Sequence, residues 1–150
     1  MFPGKKENRE IVEEFERKKE DEVMNEPLFP ETKEVLAALA GRGNKVVISS
    51  SNFQHIMEGH IKECGLTPDL VLGYREGFSK GRDHFNYIKK HFQADTEDLV
   101  FVGDSLRDFE KAKDNGVRFI GRVGTFTADD FKEAGADEVI RDLRELVRLL

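Results

Sequence analysis

The sequence holds a single cysteine, Cys64, so no disulfide framework is available and a reducing compartment is the expectation. No apolar run approaches the roughly 20 residues that span a bilayer. The opening stretch MFPGKKENREIVEEF lacks the apolar core of a secretion signal. Basic charge is also in deficit. Against 30 Asp and Glu stand 24 Lys and Arg, a formal net charge of −6. An acidic surface repels a phosphate backbone, which argues against nucleic acid as the main partner. The four histidines (His55, His60, His84, His91) form no HxxxH pair and no Cys/His cluster, so zinc is not expected. Together these absences describe a cytoplasmic chain with neither membrane nor nucleic acid as its partner.

What is present suits one globular domain: 150 residues, 38% hydrophobic and 36% charged. Residues 7–25 are rich in Glu and Lys, with Ile11, Val12 and Phe15 as the main apolar positions. That composition predicts a helix with a thin apolar stripe, ending at the prolines Pro27 and Pro30. A second helix is expected over 31–39, with an exit at Gly41-Arg42-Gly43. From there short apolar strands alternate with amphipathic helices. Strands are expected over 45–50, 69–73, 99–103, 117–121 and 137–140. Helices are expected near 53–64, 82–92, 106–115, 128–134 and 141–149. Thr127 with Asp130 reads as a capping box and Asn115-Gly116 as a helix exit. Continuously apolar strands alternating with helices imply an α/β fold, a doubly wound parallel sheet covered on both faces. Ligands of such sheets sit at the carboxyl ends of the strands.

Three strand ends carry chemistry. The first closes in Ser49-Ser50-Ser51-Asn52, where hydroxyls and free N–H groups before a helix suit a phosphate oxygen. The alternative is that one serine merely caps the helix. The second is followed by Arg75-Glu76-Gly77-Phe78-Ser79-Lys80-Gly81, from which Lys80 can reach an anion or remain an ordinary solvated lysine. The third runs through LVFVG into Asp104, with Asp108 one helical turn on and on the same side. Two carboxylates so placed repel unless a cation separates them or one takes a proton. Mg²⁺ suits them, being hard, oxygen-seeking and often shared between carboxylates and phosphate. The alternative is Asp104 as N-cap and Asp108 in solvent.

In this order, VVISSS, FSKGRDHF and FVGDSLRDFEKAKDNG resemble the second, third and fourth motifs of the haloacid dehalogenase superfamily of phosphatases and phosphotransferases. LFPETKEVLAALAGRGNKVVISS resembles the stretch that joins helical cap to core in cap-bearing members. The resemblance implies a Rossmann-like core over residues 30–150, with residues 1–29 an N-terminal helical segment resembling the end of a cap. It implies phosphate binding by Ser50, Ser51 and Lys80, and Mg²⁺ at Asp104 and Asp108.

The family's first motif, an apolar strand closed by Asp-x-Asp, supplies nucleophile and general acid. No two of the twelve aspartates stand two positions apart, and no apolar strand is evident before Lys45. The expectation is therefore a hydrolase core without its first strand, N-terminally incomplete and inactive alone, with a weak Mg²⁺ half-site. The alternative is a non-catalytic module binding phosphate or a protein. A small phosphorylated molecule is the expected ligand. A homo-oligomer or a complementing chain would then fill the sheet centre.

Overall fold

The computed structural model describes residues 30–150 and the backbone of Glu10–Glu14. Six strands make one parallel sheet: β1 (Glu10–Glu14), β2 (Lys45–Phe53), β3 (Leu70–Tyr74), β4 (Leu99–Gly103), β5 (Arg118–Arg122) and β6 (Val139–Ile140). Their spatial order is β3-β2-β1-β4-β5-β6. Helices α1 (Thr32–Gly41), α2 (Gln54–Glu63), α3 (Arg82–Phe92), α4 (Leu106–Asp114), α5 (Ala128–Ala134) and α6 (Leu146–Leu149) connect and cover it. The expected doubly wound α/β fold is the one observed.

Alternation along each strand divides the core in two. Val46, Ile48, Val100, Val102 and Ile120 pack under Val35, Leu36 and Leu39 of α1 and Met57 and Ile61 of α2. Val47, Leu72, Leu99, Phe101 and Phe119 pack under Phe85 and Ile88 of α3, Ala112 of α4 and Phe131 of α5. Phe85 meets Phe101 edge to face, with ring centroids 5.1 Å apart, the arrangement the ring quadrupoles favour. The capping box of Thr127 and Asp130 is present, and α5 stops at Gly135 in the left-handed region.

The sheet centre differs from the sequence expectation. Glu10–Glu14, placed within a helix by its composition, is a strand between β2 and β4. It pairs Ile11 with Val46 and with Val100, and Val12 with Val47 and with Phe101. The reading of a core without its first strand is corrected to this extent. The rest of the expected helix over 7–25 lies outside the described residues. The physical reason is backbone demand: β2 and β4 each carry a row of N–H and C=O groups facing this slot. Pairing them outweighs the weak strand propensity of glutamate.

At the other side of β2 the pairing with β3 slips. Ser49 lies opposite Leu72 but Phe53 lies opposite Tyr74, so four steps of β2 answer two of β3. The Gln54 side chain fills the gap, its Nε2 donating to Val71 O at 2.8 Å and its Oε1 accepting from Gly73 N. This crossing is close enough that a Cβ on Gly73 would lie 2.7 Å from the Gln54 Cα, so only glycine fits.

Proline in an internal strand removes a ladder donor. Val12→Pro is therefore expected to lower the thermal midpoint by about 5 °C or more, read by circular dichroism. An unchanged midpoint would remove β1 from the sheet.

Candidate phosphate and metal site

The carboxyl ends of β1, β2 and β4 form the crest at which the site residues gather. β4 leaves the sheet through Gly103 into Asp104 and Ser105. Ser105, not Asp104, caps α4: its Oγ accepts from Asp108 N at 3.1 Å. Asp104 is thereby spared capping duty and sits half-buried at the crest. Asp108 folds back beneath Gly103, whose missing side chain is what admits it. A Cβ on Gly103 would stand 2.5 Å from Asp108 Oδ2. Asp108 is fully enclosed, so the alternative of a solvated carboxylate does not hold.

Lys80 reaches Asp108 from the loop before α3. Its Nζ lies 2.8 Å from Asp108 Oδ1, with side-chain exposures of 2% and 0%. Burial pushes the Lys80 ammonium down to about 8, with Asp108 and, more weakly, Asp104 opposing the shift. Asp108 Oδ2 has no hydrogen-bond partner among the described residues. The structure thus unites Lys80 with Asp108, and places Asp104 near enough to act on the same ammonium.

The three serines diverge. Ser50 is buried, its Oγ accepting from Asn52 N at 3.1 Å and Asn52 Nδ2 at 3.2 Å. Ser51 is exposed. Ser49 is buried and bonded to His84 Nδ1 at 2.7 Å. Ser49 is thus tied to α3 through His84, and Lys80 to α4 through Asp108.

Glu14, passed over by the sequence reading, closes β1 at the same crest. The backbone register sets it opposite Ser49, and Glu13 opposite Val102 brings it level with the residue before Asp104. The signal was available, since Glu14-Phe15-Glu16 has the Asp-x-Asp spacing in glutamates; a search for aspartate alone passes over it.

The profile of the haloacid dehalogenase-like hydrolases matches residues 2–122. The chain belongs to this family. Among solved structures it is similar to a haloacid dehalogenase-like hydrolase of Streptococcus pneumoniae, at 17% identity and a TM-score of 0.73, covering 81% of this chain and 59% of that one. A subfamily IA hydrolase of Geobacter sulfurreducens matches at 19% identity and a TM-score of 0.72, covering 87% and 65%. A mutant CbbY of Rhodobacter sphaeroides, in complex with xylulose-1,5-bisphosphate, matches at 23% and 0.65, covering 83% and 59%. At these identities the likeness shows the fold. The chain spans between 52% and 65% of the length of such neighbours. Among curated proteins, none matches the chain.

Removing one member of a buried ion pair strands the other, at about 3–5 kcal/mol, whereas replacing both by apolar groups costs far less. Lys80→Met and Asp108→Leu are each expected to lower urea-unfolding stability by that amount, and the double variant by less than either. Additive losses would deny the pairing. A second expectation concerns acid. Burial holds His84 down to about 4, so the unfolded chain binds this proton first. The contribution of neutral His84 is complete above about pH 6.5 and is lost as pH falls towards 4, on the order of 3 kcal/mol. NMR titration of the ring should find no midpoint above pH 5; one near 6.5 would refute the burial argument.

Proposed function

We propose that this member of the haloacid dehalogenase-like family binds the phosphate of a small phosphorylated molecule together with Mg²⁺, and by itself turns over phosphomonoesters poorly. The observation that carries the reading is the buried Lys80–Asp108 pair at the carboxyl ends of a doubly wound sheet. A lysine held there supplies fixed positive charge to a bound phosphate without reorganising. Ser51, exposed near the end of β2, is a second hydroxyl for the phosphate. Asn52 N and Nδ2 both donate to Ser50 Oγ, which fixes where that hydroxyl sits in the turn.

The donor set agrees with a hard cation. Asp104 would hold Mg²⁺, with Asp108 Oδ2 the remaining buried acceptor lacking a partner among the described residues. Bound there, Mg²⁺ would neutralise charge on phosphate oxygens. Asp108 itself has Lys80 as its charge partner, so its first task is to hold that lysine.

Poor turnover follows from Glu14. Glutamate is one methylene longer than the aspartate of the family's first motif, and it stands at the position that ends β1. Misplacement of a reacting group by about 1 Å costs on the order of 100-fold in rate. The neighbour holding a sugar bisphosphate supports a phosphorylated metabolite as the ligand class. The acidic surface and the lack, among the described residues, of any helix long and apolar enough to cross a membrane agree with a soluble partner.

Calorimetry with inorganic phosphate and Mg²⁺ should show binding that Asp104→Asn weakens at least about 10-fold. With p-nitrophenyl phosphate, the native chain should stay near background and Glu14→Asp should raise turnover. Robust native turnover abolished by Asp104→Ala would overturn the poor-catalyst reading. No phosphate binding would overturn the site.

A further inference from the structure

His84 lies in the first turn of α3, fully buried, four residues after Lys80. Its two ring nitrogens reach two different strands. Nε2 lies 2.9 Å from Gly73 O on β3 and Nδ1 lies 2.7 Å from Ser49 Oγ on β2. A carbonyl oxygen can only accept, so Nε2 carries the hydrogen. In the neutral ring Nδ1 then accepts, and Ser49 must donate to it. The assignment is unique as long as the ring is neutral, and burial and the nearby Lys80 charge both keep it so.

The ring also packs against Phe78, with centroids 4.8 Å apart. Phe78 closes a small turn with Arg75, whose guanidinium lies 4.5 Å from the Phe78 centroid. Ser79 N and Oγ both donate to Asp83 Oδ2, at 2.9 and 3.3 Å. Lys80 therefore stands between two anchored points, Phe78 before it and His84 after it. At Gly81, φ of +103° turns the chain into the helix.

We propose that His84 is a positioning residue for Lys80. By clamping the start of α3 to β2 and β3 at once, it holds the lysine where its ammonium meets Asp108. The step from positioned lysine to working site rests on the phosphate-binding reading above; the clamp itself does not. It also assigns Ser49 a task, because a hydroxyl whose hydrogen is committed to His84 cannot donate it to a ligand.

The experiment is lysine acetylation followed by peptide mass spectrometry on the full chain. In the native protein Lys80 should label slowly and exposed Lys62 quickly. His84→Phe, which keeps ring volume but strands the Ser49 hydroxyl and the Gly73 carbonyl, should speed Lys80 labelling at least 10-fold and leave Lys62 unchanged. Ile88→Ala, one turn further along the same helix and destabilising through a cavity, should leave Lys80 protected. Ser49→Ala cuts one of the two tethers and should speed labelling about 3-fold; it decides the matter if His84→Phe does not fold. Unchanged labelling in a folded His84→Phe or in Ser49→Ala would overturn the proposal, and so would equal acceleration by Ile88→Ala. Because labelling needs neither phosphate nor turnover, its failure would leave the phosphate titration standing.

Discussion

The crest of this molecule is organised around one enclosed ion pair, Lys80 with Asp108, and around the glycine that makes room for it. Two charges leave water only if they meet each other closely, because neither has enough solvent left to compensate. That requirement propagates outwards. Gly103 must lack a side chain so that Asp108 can tuck beneath it. Ser105 must take over the helix cap, and the loop from Arg75 to Gly81 must deliver Lys80 to a fixed point. A shift in α3 or α4 would break the pair, so the pair ties the two helices across the end of β4.

What could be read in the sequence was whatever depends on local pattern. LVFVG announced a strand buried on both faces, and the structure buries all five residues. GDSLRD announced an acidic turn into a helix, and that turn is present. The family resemblance was legible for the same reason, since its motifs are strand ends with fixed neighbours.

The misreadings share a different cause. Glu10–Glu14 has three glutamates in five residues, and nothing local marks it as a strand. Its conformation is dictated by the slot between β2 and β4, a demand that exists only once distant segments are in place. The serine triplet was ambiguous likewise. Alternation along β2 and the slip after Ser49 send three chemically equal hydroxyls to three different surroundings. Ser49 finds an imidazole 35 positions away in the chain. The enclosure of Asp108 was hidden too, because a carboxylate in a first helical turn normally faces solvent.

The Gln54 amide has a mechanical consequence. Where β2 and β3 part company, the rung between Val71 and Gly73 is made by a side chain that imitates a peptide unit. A peptide rung can break only if the strand itself moves, whereas a glutamine can rotate about its own bonds and leave both strands in place. The upper corner of the sheet, which bears Ser51, Asn52 and Phe53, is therefore tied to β3 by that side chain together with the Phe53–Tyr74 pairing. The base of the sheet, from Val47 with Leu70 to Ser49 with Leu72, stays laced by backbone throughout. Backbone lacing beneath and a side-chain rung above are thus built into neighbouring residues of the same strand pair.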